Sequence, residues 1–272
     1  MRTVECRSIL CESGICDFAL NCYTGCEHAC AYCYARFMGR FHHPGQAWGT
    51  FVDAKTNAAD VLARQLAKKG LFSPGTVFVS SVCDAYQPAE ETYQLTRRCL
   101  KMLLEAGYEI HVQTKSDLVR RDFDLLSGRT NGSLCMTVTT VDESIAADTE
   151  PRAPSPARRI EALRRAAQAG IPVKAFVGPL LPGTTDSPAM LEETFSALAN
   201  LPLLEVYVDR LNPRWGVWAA VQKSLERLAP SAVRAARAML FDERASAAYN
   251  RDLRERIRDA AGVLKAPLNI LF

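Results

Sequence analysis

At 272 residues and 48% apolar, with 33 basic against 30 acidic residues and a net charge of +3, the chain is long enough to bury a full core as one large domain. The near-balance of charge excludes a global field of the kind that gathers polyanions, so any basic footprint has to be local. No apolar run approaches the ~20 residues of a membrane span, and the leading MRTVECRSILCESGICDF carries no apolar core of signal-peptide length, so a cytosolic chain with no membrane partner is expected.

In a reducing compartment ten cysteines point to metal or catalytic work rather than to disulfides. Seven of them fall within the first 33 residues. Phe18 to Asn21 (FALN) reads as a first strand, and the cysteine-rich run NCYTGCEHACAYCYARF follows it. Asn57 to Lys69 has helical apolar spacing and stops at Gly70. The β-branched run from Thr76 to Val82 predicts a buried strand, and Glu91 to Glu105 a helix that ends at Gly107. Later strands are expected at Glu109 to Thr114, Leu134 to Thr140, Ile171 to Gly178 and Leu203 to Asp209. Helices are expected between them near Leu118 to Leu126, Ser155 to Ala169 and Ser187 to Ala199.

Six strands, each followed by a helix, build a parallel sheet with helices outside it. Six units are too few for a closed eightfold barrel, so the expected class is α/β, a partial (β/α)6 TIM-type barrel with a C-terminal helical extension. Beyond Asn212 the pattern is helix only, with Val217 to Leu228, Ser231 to Leu240 and Glu243 to Val263 helical. Residues 1–17 then form a Cys-rich N-terminal segment, 18–212 the partial barrel and 213–272 the helical extension packed on it. The loops after the strands of such a barrel carry its site. The unusual short motifs fall there: GCEHACAYC after the first strand, CDAYQP after the second, TKS after the third, VDES and EP after the fourth, GPLLPGTTD after the fifth.

Within CEHACAYC, Cys26, Cys30 and Cys33 are spaced three and then two residues apart. A zinc site would need tetrahedral closure, and His28, its candidate fourth ligand, lies between two of the cysteines it would have to join. A ferredoxin-type cluster uses tighter spacing and a fourth cysteine commonly followed by Pro, and neither is evident. A cubane cluster held by three thiolates leaves one iron free to bind something else.

The spacing C-x-x-x-C-x-x-C after the first strand of a partial barrel resembles the signature of the radical S-adenosylmethionine (SAM) enzymes. The likeness extends through SSVCDAYQPAE, QTKSDLVRRD, EPRAPSPARR and GPLLPGTTDS, from about Ile9 to about Val208, and resembles the spore photoproduct lyase branch, also labelled DNA-repair-photolyase-like. This resemblance implies a 4Fe–4S cluster on Cys26, Cys30 and Cys33, whose open iron binds the methionine moiety of SAM. One electron from the cluster cleaves the sulfonium, and the adenosyl radical takes a hydrogen atom from substrate. A flavodoxin or ferredoxin supplies the electron, and the substrate implied is a thymine lesion in DNA.

The same resemblance implies residue roles. Tyr32, before the third cysteine, would pack on the adenine; Asp84 would meet the cofactor amino group, and Lys115 its carboxylate. Thr139 or Thr140 stands where the family places a cofactor-binding hydroxyl. Tyr34 matches a tyrosine implicated in hydrogen-atom transfer. Cys83 stands near a cysteine that returns a hydrogen atom to the product radical, offset by a residue or two. Because successive strand side chains face opposite sides, Cys83 is either that donor or a small buried hydrophobe.

Cys6, Cys11, Cys16 and Cys22 depart from the family pattern. Four thiols supply the count for an auxiliary iron–sulfur cluster, or they pack. His42 and His43 lack metal-ligand spacing and are expected at the cavity rim or in solvent. Arg152, Arg158, Arg159, Arg164 and Arg165 form a positive stripe that meets either nucleic-acid phosphates, the cofactor carboxylate or water. Two rival functions stand beside the lyase reading. One is a radical SAM enzyme with an auxiliary cluster acting on RNA, a peptide or a small metabolite. The other is a non-catalytic iron–sulfur electron-transfer or metal-binding protein.

Overall fold

A computed structural model of the chain describes residues 1–68 and 74–272. The first strands are β1 (Arg2–Val4), β2 (Leu10–Glu12), β3 (Phe18–Leu20), β4 (Tyr23–Thr24) and β5 (Asp53–Lys55). There follow β6 (Thr76–Val79), β7 (Glu109–Thr114), β8 (Gly132–Thr137), β9 (Val173–Leu180), β10 (Glu205–Arg210) and β11 (Leu268–Ile270). The helices up to β8 are α1 (Gly39–His42), α2 (Ala58–Leu66), α3 (Ala89–Tyr93), α4 (Leu95–Glu105) and α5 (Phe123–Leu126). After β8 come α6 (Glu143–Thr149), α7 (Pro156–Gln168), α8 (Pro188–Leu198), α9 (Val217–Leu228), α10 (Val233–Phe241) and α11 (Glu243–Ala260).

The large sheet runs β11-β10-β9-β8-β7-β6-β3-β2. Neighbours from β3 through β11 pair in parallel, and β2 is antiparallel to β3 through Leu10 opposite Leu20. The six expected strands are therefore the middle of the row, and the row ends at β2 and β11 without closing. A second sheet, β1-β5-β4, lies outside it. Val77, Ile110, Val112, Leu134, Ala175, Val206 and Val208 are wholly buried under the helices, as strands covered by crossover helices require. On α4, Leu95, Cys99, Leu100, Leu103 and Leu104 repeat at helical spacing on the face that meets the sheet side. Side-chain caps start the helices where the sequence offers them: Asp142 for α6, Ser187 for α8 and Asp242 for α11.

Several expectations need correction. The helix expected from Glu91 to Glu105 is two helices, broken at Gln94, whose φ is +47°. Leu118 to Leu126 is mostly a 3-10 turn over Asp117–Asp122, followed by the short α5. VDES is no loop but the capped start of α6. The region beyond Asn212 is not helix only, because β11 returns to pair with β10, Val206 opposite Leu268. A three-residue edge strand is too short to show a period, which is why β2 and β11 went unseen. The helix end expected at Lys69 and Gly70 lies outside the described residues. No helix among the described residues is long and apolar enough to cross a membrane.

Candidate active site

Strand alternation divides the sheet residues between two sides. While one set packs under the helices, Phe78, His111, Gln113, Lys174, Phe176 and Tyr207 line a cavity of about 690 Å³ on the other side. Its upper wall is made by the loops after the strands. Cys26, Cys30, Cys33, Tyr32, Tyr34, Cys83, Asp84 and Lys115 all line it. Residues from three separate loops, 89 positions apart at the extremes of Cys26 and Lys115, are thus brought to one space.

The cysteine loop is folded by its glycines and by contacts from elsewhere. Gly25 has φ +87°, and a Cβ there would lie 2.3 Å from the Phe51 carbonyl oxygen. Gln87 holds the same loop from the opposite side, accepting from the Glu27 N–H at 2.9 Å and donating to the Gly25 carbonyl at 3.2 Å. Arg36 donates to the carbonyls of Cys30 and Ala31 at 2.9 and 3.1 Å. The three thiols are free. Burial pushes all three above the ordinary thiol value, Cys30 to about 12, and the charges of Cys30 and Cys33 add to the rise at Cys26. Lys115 opposes the rise at Cys30 and Cys33, and the backbone N–H groups of His28 and Ala35 oppose it at Cys26 and Cys33.

Asp84 is buried, yet its carboxyl lies below the usual carboxylate range. Burial alone would raise it; His28, Lys115, the Lys115 N–H and the Thr114 hydroxyl overcome that penalty. Oδ1 accepts from Thr114 at 2.5 Å and from the Tyr86 N–H at 2.9 Å, and Oδ2 from the Lys115 N–H at 3.0 Å. The loops after β6 and β7 are thereby joined at one carboxylate. His28 Nδ1 donates to the Arg152 carbonyl at 3.2 Å, and its buried Nε2 has no hydrogen-bond partner, standing 3.6 Å from Asp84 Oδ2.

Tyr32 presents its ring to the cavity, 5.7 Å from Lys115 Nζ. Its hydroxyl meets Thr139 at 3.1 Å and donates to Glu150, which pairs with the buried Arg159. Thr139 also donates to the Gly178 carbonyl at 3.1 Å. Thr140 turns elsewhere, its hydroxyl contacting Met190 Sδ at 3.1 Å and accepting from the Asp142 N–H at 3.1 Å. Of the two threonines, the fold brings Thr139 to the Tyr32 hydroxyl.

Cys83 lies beyond the end of β6, after Ser80 at φ +71°, so strand alternation no longer governs its direction. It faces the cavity, with Sγ 3.5 Å from Ser80 Oγ and 3.9 Å from Asn21 Oδ1. Burial pushes this thiol up to about 11. The Tyr34 hydroxyl donates to the Ser81 carbonyl on the same loop.

The four upstream cysteines are found on separate partners. Cys6 bonds Asn57 at 3.3 Å, Cys11 lies exposed 3.7 Å from Ser8, and Cys16 lines the cavity while donating to the Phe18 carbonyl at 3.0 Å. Cys22 is in the core, 3.9 Å from Cys99. Among the described residues no three or more His, Cys, Asp or Glu are gathered to hold a metal ion. This includes Cys26, Cys30 and Cys33.

His42 is exposed, but His43 is neither at the rim nor in solvent: it is buried, 2.9 Å from Asp53 and stacked on Phe51 at 4.1 Å. The arginine stripe is largely spent internally. Arg158 pairs with Asp117, Arg159 with Glu150, Arg164 and Arg165 with Glu161, and Arg152 donates to the Gly49 carbonyl at 2.8 Å.

Residues 20–198 match the family model described as the Radical SAM superfamily. The chain belongs to this superfamily. An uncharacterized protein of Methanocaldococcus jannaschii is 37% identical over 65% of this chain and 65% of its own length. One from the Acidianus two-tailed virus is 32% identical over 72% and 68%, and one from Mycobacterium tuberculosis 31% over 67% and 55%. The chain thus spans between 55% and 68% of the length of these relatives. Among solved structures, spore photoproduct lyase complexed with dinucleoside spore photoproduct superimposes at TM-score 0.73 with 12% identity, over 99% of this chain and 82% of that one. SuiB of Streptococcus suis bound to S-adenosylmethionine superimposes at 0.60 with 13% identity, over 93% and 49%. Both likenesses are of fold: an α/β architecture of the radical SAM TIM type, with its sheet open.

A radical SAM domain implies a 4Fe–4S cluster and SAM, and the residues present fit them. Three free thiols face one cavity, and the ionised Asp84, the unpartnered His28 Nε2 and the Lys115 ammonium stand beside them. Glu150, Arg159, Gln87 and Arg36 also shape this radical SAM site, and Glu150 and Arg36 carry no role in the sequence reading. Gln87 and Glu150 act across 60 and 118 positions, contacts that no local pattern signals, whereas Arg36 reaches back only five and six residues.

Proposed function

We propose that this chain is a radical SAM enzyme of the spore photoproduct lyase type, with a thymine lesion in DNA as substrate. The observation that carries the reading is the convergence of Cys26, Cys30, Cys33, Tyr32, Tyr34, Cys83, Asp84 and Lys115 on one cavity. Cys26, Cys30 and Cys33 would hold the cluster, which with bound SAM supplies one-electron cleavage of the sulfonium and abstraction of a substrate hydrogen atom. Asp84 is suited to accept from the cofactor amino group, and Lys115 to meet its carboxylate. Tyr32, fixed by Thr139 and Glu150, offers its ring to the adenine. Cys83, kept as an S–H by burial, is suited to donate a hydrogen atom, with Tyr34 across the same loop. The walls around these groups would limit the access of water to a reactive centre. A flavodoxin or ferredoxin would supply the electron, in the cytosol.

In this reading the four upstream cysteines hold no second cluster, because they are spread over separate partners. The test is anaerobic reconstitution with iron and sulfide counting and EPR, on the wild type and on the combined Cys26→Ala, Cys30→Ala, Cys33→Ala variant. About four irons in the wild type, lost in the variant, are expected for one cubane. SAM should then perturb the EPR spectrum of the reduced cluster. A variant that keeps its iron, or a spectrum indifferent to SAM, sinks the proposal. Lesion-bearing DNA that remains unrepaired by the reduced, loaded chain sinks the substrate alone.

A further inference from the structure

The balanced charge of the chain hides an uneven distribution. No Asp or Glu occurs between Glu27 and Asp53, and none between Asp209 and Glu226. These two stretches meet at the mouth of the cavity. Arg40, from the first, has its guanidinium 4.6 Å from the Phe41 ring and 5.6 Å from the Trp215 ring of the second. Arg214, from the second, lies 5.9 Å from the Tyr34 ring and 6.0 Å from the Phe37 ring of the first. Phe41 is 62% exposed, Trp215 58% and Tyr34 40%. Among the described residues neither Arg40 nor Arg214 forms an ion pair with a carboxylate, unlike Arg158, Arg159, Arg164 and Arg165. Tyr34 and Asn212 belong to the cavity lining, so the rim continues into the site.

We infer that this rim, built from Tyr34, Phe37, Arg40, Phe41, Arg214 and Trp215, is a binding surface for an unstacked single strand of nucleic acid that feeds the cavity. The inference rests on the radical SAM reading for what happens inside the cavity, not for the surface itself. Exposed aromatic side chains held beside guanidinium groups that lack a carboxylate partner suit a ligand that alternates planar bases with phosphates. A stacked duplex hides its ring faces and cannot use the aromatic half of this surface. A lipid surface would meet the charges, but cannot follow the rim into a cavity of about 690 Å³ inside the fold. A second copy of the chain would set arginine against arginine with no carboxylate from either stretch to separate them.

The test is fluorescence anisotropy of a labelled oligothymidylate with the full chain at rising salt, iron content being measured in parallel. Trp215→Ala is expected to weaken binding about 5- to 150-fold, the range for losing one stacked base, while Trp215→Phe retains it. Arg40→Gln combined with Arg214→Gln is expected to flatten the log–log salt slope by about 1.4, two phosphates on a single strand. All these side chains are exposed or half-buried, so unchanged circular dichroism and melting should accompany the losses. The inference is overturned if the strand does not bind, if the variants bind it as the wild type does, or if a duplex of the same length competes equally. It is also overturned if the variants lose binding to phosphatidylserine vesicles, or self-association, and not to the strand. A chain that binds the strand but fails the iron and EPR test loses the radical reading and keeps this surface. A loaded chain that ignores the strand does the reverse.

Discussion

The hydroxyl of Tyr32 donates to the carboxylate of Glu150, 118 positions away, and so ties the cysteine loop to the segment after α6. Glu150 and its partner Arg159 are both about 1% exposed, and Arg159 donates further to the Pro154 carbonyl at 2.7 Å. A ring one residue from Cys33 is therefore held by an ion pair with almost no access to water.

Removing one member of a buried pair leaves an uncompensated charge. Arg159→Ala is expected to cost about 3–5 kcal/mol of stability, against roughly 1 kcal/mol or less for an exposed arginine such as Arg164. Urea unfolding of the two variants measures the difference, and equal losses would show that Arg159 does not hold Glu150.

Asp53 carries a pH signature. Burial would raise its carboxyl, but Arg2, through two bonds at 2.7 and 2.8 Å, and His43, at 2.9 Å, bring it below its ordinary value of 3.8. A depressed carboxylate contributes stability that is complete above the unfolded value and fades as pH falls through the folded one. Asp53→Asn should therefore be less stable than the wild type at neutral pH, and the gap should close below pH 3.8. Thermal melts across the acid range check this; a gap that is constant with pH contradicts it.

Gly25 sits directly before Cys26, the first of the proposed cluster ligands, at φ +87°, with the Phe51 carbonyl oxygen 2.3 Å from where a Cβ would stand. Gly25→Ala should lose more than about 1–2 kcal/mol, the left-handed penalty alone, and take up less iron on reconstitution. Gly14→Ala, with nothing within 4 Å, is the matched control and should leave both unchanged.

The dispersal of the upstream thiols predicts their indifference to cluster content. A combined Cys6→Ser, Cys11→Ser, Cys16→Ser variant should bind about four irons, as the wild type does, since one cubane needs no more. Cys22 is left in place because it is buried against Cys99. Loss of half of a total of about eight irons in this variant would establish an auxiliary cluster instead.

The parallel strands, their crossover helices and the three spaced cysteines were legible because each is a local signal. A buried strand declares itself in four to six β-branched or apolar residues, and α9 was read from helical spacing at the bounds it has, Val217–Leu228. Edge strands β2 and β11 declared nothing, because three residues on an edge owe their form to the neighbour they pair with. Gln94 broke the expected helix for a similar reason: the Glu90 side chain accepts from the Thr96 and Arg97 N–H groups at 3.0 and 3.2 Å, starting a second helix that propensity alone does not demand.

The same division runs through the site. Sequence alone determined the superfamily of this protein, because the three spaced cysteines and the strand before them are contiguous in the chain, so the motif that marks the superfamily is a local one. Only the tertiary structure decided which way Cys83 faces, that Thr139 rather than Thr140 reaches Tyr32, that His43 is buried on Asp53, and that the arginine stripe is already paired. It also assembled a rim from Arg40 and Trp215, two residues unremarked in sequence. Direction, pairing and burial are properties of contacts between distant residues, and a linear pattern encodes them only through the fold that brings those residues together.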